Sequence, residues 1–217
     1  MTILARNTET LVRGLFAVAV TLAVAAYLLN SSLLAKESAL VFILDIFFIW
    51  FFRDPERRAE GPEDVILSPA DGKVVDIRDN TACIFMNIYN VHVNRAPLAG
   101  KIVKMKHKDG GYLPAFFKDS NRNERNLVCI ESDYGLVRIV QIAGTVTRRI
   151  DTYFNVGDRV ARGERIGMIR FGSRVDITPP DGYTLIVNKG DRVKAAVSAI
   201  AIRNTTGQND SGHFEGG

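Results

Sequence analysis

Apolar residues are distributed differently in the first quarter of this 217-residue chain and in the rest of it. Two long apolar runs, at residues 14–29 and 39–52, are separated by NSSLLAKES and closed by RDPERR. Each run is shorter than the roughly 20 residues of an ideal membrane-spanning helix. A cleaved signal peptide would explain the first run alone, but the second run argues against it. The pattern therefore predicts a short apolar helical hairpin over residues 1–53 that enters the membrane or lies in its interface.

The end of the second run predicts the orientation of this hairpin. It closes with Trp50 and two phenylalanines, and a cluster of arginines begins at Arg53. Aromatic residues favour the membrane interface, and basic residues favour its cytoplasmic side. Asp45, inside the run, is costly in hydrocarbon unless it faces protein or water. We therefore expect the following domain to lie at the cytoplasmic face of the cell membrane.

From Asp64 onward the chain alternates short apolar stretches with turn residues. VILSPADGKVVDI shows strand, turn and strand, with the turn at Asp71-Gly72, and a second turn is predicted around Gly135. Little of this part has a helical period. We predict a mostly β domain over residues 54–203, an antiparallel barrel or sandwich. The polar, glycine-rich tail, residues 204–217, is predicted to be disordered.

Two pairs of internal echoes indicate duplicated hairpin units. PADGKVV, residues 69–75, resembles PLAGKIV, residues 97–103, and VGDRVARGERIGMI resembles KGDRVKAAVSAIAI. The pattern is similar to the lipoyl "hammerhead" half-barrel. That resemblance concerns the fold alone and leaves function open.

Composition narrows the choice of partners. The formal net charge of +4 suits a protein near anionic lipid headgroups, but it is too small and dispersed to indicate nucleic-acid binding. The two cysteines, Cys83 and Cys129, form no C-x-x-C pair, so neither a metal site nor a disulfide framework is indicated.

Three positions are candidates for chemistry. His92 lies in an apolar alternating stretch, Asp71 lies in a turn, and Gly172-Ser173 interrupts the strand-like segment IRFGSRVDITPP. Taken singly, each is more often a core or turn residue than a catalyst. No G-x-S-x-G elbow or glycine-rich phosphate loop is present. A serine–histidine–aspartate arrangement requires that the fold bring Ser173, His92 and Asp71 together.

An ordered set of motifs identifies a resemblance. FFRDPER, SPADGKV, YNVHVNRAP, NERN, QIAG, RR and RFGSRVD occur in this order over residues 51–179. Together they resemble the short form of the phosphatidylserine decarboxylase family, which includes archaetidylserine decarboxylases. One departure is Phe171-Gly172-Ser173-Arg174, where many longer members have Leu-Gly-Ser-Thr, so position 174 need not carry a hydroxyl.

The resemblance implies that the chain cuts itself between Gly172 and Ser173. The products would be a β chain, residues 1–172, and an α chain, residues 173–217, which remain associated. Ser173 would become a covalently bound pyruvoyl group, with His92 as the base, Asp71 orienting it, and no metal. This would place a reactive group at the Gly172-Ser173 interruption.

The resemblance also implies the second reaction. The pyruvoyl group would form a Schiff base with a serine phospholipid, and loss of CO2 would give the ethanolamine lipid. The phosphodiester needs a cation, and the candidates are Arg95, Arg148, Arg149 and Arg174. The sequence does not distinguish diacyl from ether-linked lipids. It also leaves open whether the protein forms a homo-oligomer.

Two other functions remain open from the sequence. One is a membrane-anchored lipoyl-like adaptor without catalysis, for which VKMKHK around Lys104 is the nearest match to a carrier lysine. The other is a pyruvoyl enzyme acting on a soluble amino acid, which the apolar N-terminus disfavours.

Overall fold

The computed structural model describes residues 4–110, 123–144, 149–170 and 173–204. In these ranges two helices, α1 (Glu9–Leu28) and α2 (Ser32–Phe51), precede a series of short strands. The strands are β1 (Ile66–Leu67), β2 (Gly72–Arg78), β3 (Thr81–Met86), β4 (Val93–Arg95), β5 (Gly100–Lys108), β6 (Arg125–Ser132), β7 (Gly135–Ile142), β8 (Ile150–Thr152), β9 (Arg159–Val160), β10 (Arg165–Ile169), β11 (Ser173–Thr178), β12 (Tyr183–Leu185), β13 (Arg192–Val193) and β14 (Ala199–Arg203).

The two helices form the predicted hairpin. The Ser31 hydroxyl accepts a hydrogen bond from the Leu34 N–H and caps the start of α2. Between the helices, the Ser38 hydroxyl donates to the Ala19 carbonyl at 2.8 Å. Asp45 is only 2% exposed, so it faces protein as its position in an apolar helix requires. Helix α1 is long and apolar enough to span a membrane, which is weak evidence of membrane association because signal sequences share these properties.

The strands confirm a mostly antiparallel β domain. Eight strands form one curled, half-barrel sheet in the order β13-β2-β3-β11-β7-β6-β5-β9, and two three-stranded sheets flank it. The predicted turn before Gly135 joins β6 to β7, with Gly135 in the left-handed region at φ +112°. The Asp71-Gly72 turn does not join a paired hairpin, because β1 pairs with β14 whereas β2 pairs with β3 and β13.

The echoed segments make the same backbone hydrogen bonds. In the first unit the Val74 N–H donates to the Asp191 carbonyl at 2.9 Å. In the second unit the Ile102 N–H donates to the Asp158 carbonyl at 2.9 Å. Similar local sequence therefore gives similar local pairing at the two ends of the large sheet.

Two apolar clusters stabilise the described part of the chain. The larger fills the curled sheet, and the smaller includes Phe51 and Phe52 from the end of α2, with Val91, Val93 and Met168 from the β domain. The Ala5 N–H also donates to the Phe52 carbonyl at 2.8 Å. The end of the hairpin is thus packed onto the segment that carries His92.

Candidate active site

His92 is a fully buried imidazole with a defined tautomer. It is 0% exposed, and its ring lies 4.6 Å from the Phe51 ring, centroid to centroid. Its Nδ1 is 2.9 Å from the Asn90 carbonyl oxygen. Because a carbonyl can only accept, Nδ1 must carry the proton and Nε2 keeps its lone pair. Nε2 has no hydrogen-bond partner among the described residues.

Burial lowers the pKa of His92 from 6.5 to about 4. The hydrogen bond to Asn90 and the charge of Asp71 oppose this shift, whereas the charge of Arg53 adds to it. The imidazole is therefore neutral at physiological pH. A neutral imidazole with a free Nε2 lone pair is a competent general base.

Ser173 begins β11 and is also fully buried. Its hydroxyl oxygen has no hydrogen-bond partner within the described ranges, and the residue pairs with Met86 of β3. The Ile169 N–H donates to the His92 carbonyl at 3.3 Å. Ile169 and Ser173 are four positions apart along the chain, a reach of at most about 14 Å. Gly172 lies outside the described residues.

Asp71 makes contacts that the sequence did not indicate. Its two carboxylate oxygens accept from the two terminal nitrogens of Arg57, and one of them also accepts from the Ala195 N–H at 2.8 Å. The carboxylate therefore makes no direct hydrogen bond with His92 and acts on it only through its charge.

Two of the four candidate arginines are buried in local ion pairs. Arg95, 3% exposed, donates to Asp54 at 3.1 Å and to the Gly163 carbonyl at 3.0 Å. Arg174 is buried too, and it donates to Asp176 at 3.0 Å. Both contacts anchor the fold, and neither guanidinium is presented to solvent.

The other two candidates lie next to the cleavage segment. Arg149 is largely exposed and donates to Asp151 at 2.8 Å. The same carboxylate accepts from Arg170 at 2.9 Å. Asp151 thus fixes Arg170, which precedes the Gly172-Ser173 bond by two residues. Arg148 lies outside the described residues.

Three residues around the site were not found by sequence reasoning. Asn90 fixes the His92 tautomer through its backbone, Phe51 covers the imidazole, and Arg57 holds Asp71. A backbone carbonyl contact leaves no trace in residue type. The sequence places Phe51 and Arg57 in the FFRDPER motif and beside the interfacial belt, but it does not indicate their contacts with His92 and Asp71.

An open cleft of about 450 Å³ adjoins these residues. Asp71 and Asn90 form part of its wall, and three cationic side chains, Lys73, Arg192 and Lys194, line the remainder together with Gly72, Phe85, Asn87, Tyr89 and Val193. The cleft therefore carries positive charge, and it borders Asp71 and the residue that holds His92, Asn90.

A chain of buried amides supports the strand opposite Ser173. The Asn126 amide donates to the Gln141 carbonyl oxygen at 2.9 Å, and the Gln141 amide donates to Asn94 at 2.8 Å. The Asn94 amide in turn lies 3.6 Å from the sulfur of Met86, the residue paired with Ser173. Such networks are stabilising only when every member is satisfied.

Replacing Gln141 by leucine should therefore destabilise the fold. The change leaves the side-chain carbonyl oxygen of Asn94 and the side-chain amide nitrogen of Asn126 without the buried partners that Gln141 provides, which costs about 2–4 kcal/mol in the free energy of unfolding. Chemical denaturation would measure it. Arg138→Leu, an exposed change on the same strand, should shift stability by only about 0.5 kcal/mol. Equal effects of the two variants would contradict the network interpretation.

No group of three or more histidine, cysteine, aspartate or glutamate side chains in the described ranges could hold a metal ion. Cys83 and Cys129 are buried free thiols.

Comparison with known families gives a match over most of the chain. The sequence model described as phosphatidylserine decarboxylase matches residues 44–201. This range includes the end of α2, the large sheet and all the candidate catalytic residues.

Curated relatives extend this match. A protein of Methanosarcina acetivorans, named archaetidylserine decarboxylase proenzyme, is 59% identical over 162 residues, covering 74% of this chain and 78% of the relative. A Methanosarcina barkeri protein of the same name is 50% identical over 194 residues, covering 89% and 93%. A Streptomyces griseus protein, named phosphatidylserine decarboxylase proenzyme, is 48% identical over 157 residues, covering 70% and 72%.

Proposed function

The chain belongs to the phosphatidylserine decarboxylase family, and we propose that it is a self-processing, pyruvoyl-dependent lipid decarboxylase. Its substrate is a lipid with a phosphoserine headgroup, phosphatidylserine or archaetidylserine, and its products are the ethanolamine lipid and CO2. The names of the relatives support both lipid classes. The observation that carries the proposal is the pair of buried atoms without partners, His92 Nε2 and Ser173 Oγ, on segments joined by the Ile169–His92 hydrogen bond.

Self-cleavage begins with proton transfer from Ser173 to His92. As the neutral Nε2 accepts the hydroxyl proton, Oγ attacks the carbonyl carbon of Gly172. The peptide C–N bond breaks, an ester forms, and the released amine is protonated. Loss of the Cα proton then breaks the Cβ–Oγ bond and releases the carboxylate of Gly172. Water replaces the nitrogen of the resulting dehydroalanine as ammonia leaves, and a pyruvoyl group remains.

The surroundings of Ser173 fit this group. Conversion removes Oγ and leaves a methyl group at Cβ, and because Oγ is buried without a partner among the described residues, its loss breaks no hydrogen bond there. When present, the pyruvoyl group supplies an electron sink for the bond between Cα and the carboxylate. His92 accepts and returns protons, and the charge of Asp71 stabilises its imidazolium form. Arg57 holds that carboxylate in place.

The sheet explains how the two products of cleavage stay together. Strand β11, the first of the α chain, lies between β3 and β7 of the β chain and pairs with both. Cutting before Ser173 leaves those ladders in place. We therefore propose that the α and β chains remain one folded unit over residues 54–203, whose echoed hairpins are of the lipoyl hammerhead type.

The hairpin of residues 1–53 is proposed to hold the enzyme at the cytoplasmic face of the cell membrane. Its exposed apolar side chains support this, as do the aromatic and arginine residues at its end. Because Phe51 contacts His92, the membrane-facing element ends at the catalytic histidine. A lipid headgroup can thus reach the site without leaving the interface.

Intact mass under denaturing conditions, together with an assay of lipid decarboxylation, tests the proposal. Two species are expected, the smaller beginning at residue 173 and lacking the mass expected for a free serine terminus, with release of CO2 from a serine lipid. A single stable full-length species without such activity would contradict the proposal and favour an adaptor. Activity on free serine alone would favour a soluble substrate.

A further inference from the structure

The duplicated units form two clefts in equivalent places on the large sheet. The first, of about 450 Å³, lies beside Gly72 and Lys73. The second, of about 330 Å³, lies beside Gly100 and Lys101. At both glycines a Cβ atom would collide with the carbonyl oxygen of the neighbouring strand, so each cleft begins at a close backbone approach.

In the first cleft the one carboxylate of the lining, Asp71, is already held by Arg57, so the cleft carries an excess of positive charge. Lys73 lies directly opposite Arg192 in the β2–β13 ladder, and its neighbour on the other side, in β3, is Phe85. Like charges directly opposite each other destabilise a sheet. Lys194 adds a third cation to the lining, and none of the three makes an ion pair with a carboxylate within the described residues.

The second cleft repeats the like-charge pair but neutralises it. Lys101 lies opposite Arg159, as Lys73 lies opposite Arg192. Its neighbour on the other side is Glu131, and Asp133 also lines the cleft. The fold therefore produces a lysine–arginine pair twice. Two carboxylates, Glu131 and Asp133, line the second cleft, whereas the carboxylate that lines the first, Asp71, is held by Arg57.

The first cleft, with the excess of positive charge, is the one next to the catalytic residues. Asn90, whose carbonyl holds His92, forms part of its wall. Phe85 and Asn87, also in the wall, flank Met86, the partner of Ser173. The excess charge therefore lies at the end of β3 that carries the partner of Ser173.

The cleft also opens toward the membrane-associated end of the molecule. Tyr89, an exposed residue of the wall, accepts a hydrogen bond through its carbonyl from Arg53, which follows α2. An anionic group held in the cleft can therefore remain attached to a chain in the bilayer interface.

We propose that Lys73, Arg192 and Lys194 bind the phosphodiester of the serine lipid and so position its amine and carboxylate at Ser173. The inference rests on the proposed function and adds to it the residues that bind the phosphate group of the substrate. A phosphodiester carries one negative charge and oxygens that accept from ammonium and guanidinium groups. Of the arginines that the sequence indicates for this role, Arg95 and Arg174 are buried in ion pairs, whereas Arg148 and Arg149 stay predictions.

A matched pair of double variants tests the assignment. Lys73→Gln/Arg192→Gln should raise the KM for a short-chain, water-soluble phosphatidylserine by about tenfold or more, since each charged contact contributes on the order of 1 kcal/mol. Intact mass should show normal self-cleavage, so that the change in KM reports on lipid binding and not on formation of the pyruvoyl group. Lys101→Gln/Arg159→Gln, with the same loss of charge in the second cleft, should leave KM unchanged.

Direct binding gives a second readout that does not need turnover. Glycerophosphoserine, the headgroup without acyl chains, should bind the processed protein by calorimetry, and the Lys73/Arg192 variant should lose this binding. Equal loss in both double variants, or in neither, would overturn the proposal. The proposal would also be overturned if the Lys73/Arg192 variant bound vesicles of phosphatidylglycerol more weakly but bound glycerophosphoserine normally. The cations would then bind the membrane surface and not the substrate.

Failure of the proposed function itself would look different. The unaltered protein would then show one full-length species and no decarboxylation. A folded variant that is cleaved normally but keeps the KM of the unaltered enzyme would reject the cleft assignment alone.

Discussion

Replacing Ser173 by alanine is expected to leave one uncut chain with no decarboxylase activity. The variant lacks both the oxygen that attacks the Gly172 carbonyl and the leaving group on Cβ, so neither the ester nor the pyruvoyl group can form. Intact mass of the purified variant would show one species of full length, whereas the unaltered chain should show two. The effect is complete because no other hydroxyl occupies the start of β11.

The same variant should fold at least as well as the unaltered precursor. The Ser173 hydroxyl is buried without a partner among the described residues, and removing such a group does not cost a hydrogen bond. Ser68→Ala is a suitable control, because this buried serine does have a partner, the Ala70 carbonyl at 2.7 Å. Ser68→Ala should lose stability but still be cut. Cleavage of Ser173→Ala after residue 172 would reject Ser173 as the nucleophile.

Much of the fold could be predicted because it follows from local pattern. The apolar runs required helices, the alternation after Asp64 required strands, and the echoed segments indicated repeated pairing that the backbone hydrogen bonds reproduce. The Asp71-Gly72 turn was misplaced because turn chemistry is local, whereas the partner of β1 is β14, more than 130 residues away. Sequence pattern fixes which segments are strands better than it fixes which strands pair.

The candidate site, like the fold, could be predicted only in part from the sequence. Motif resemblance indicated Ser173, His92 and Asp71, but the contacts that give them properties are tertiary. The Asn90 carbonyl sets the tautomer of His92, and Arg57 holds the carboxylate that was expected to orient the imidazole. Residue type cannot show either contact. Likewise, charge alone could not distinguish Lys73 from the equivalent Lys101; their strand neighbours, Phe85 and Glu131, do so.

Replacing His92 by glutamine is expected to slow self-cleavage by about 100- to 10,000-fold, the usual contribution of a general base. Glutamine keeps a polar group in the buried site but cannot accept a proton at neutral pH. Cell-free synthesis followed by timed intact-mass measurements would give the rate. His107→Gln is the control, because the His107 side chain is half exposed and its ion-pair partners among the described residues are Asp109 and Glu124, at 3.4 and 3.5 Å. Equal rates for the two variants would exclude His92 as the base.

The low pKa of His92 also predicts how the rate of self-cleavage and the stability of the fold depend on pH. With a folded pKa of about 4, the base is already deprotonated above pH 5, so the rate of self-cleavage should be flat from pH 8 to 5 and fall toward pH 4. Between pH 6.5 and 4 the unfolded state binds a proton that the folded state excludes. Stability should therefore decrease by about 3 kcal/mol as the pH falls through this window, if 1.4 kcal/mol is taken for each pH unit.

His92→Gln separates this contribution from that of the carboxylates, because it removes only the imidazole. Denaturation midpoints of the uncut chain at pH 7, 5.5 and 4.5 should fall less steeply in His92→Gln/Ser173→Ala than in Ser173→Ala, which prevents cleavage in both proteins. A parallel fall would mean that the imidazole has the same pKa, about 6.5, in the folded and unfolded states. The rate of self-cleavage should then fall below about pH 6.5 and not only toward pH 4, because a protonated Nε2 has no lone pair to accept the proton of Ser173.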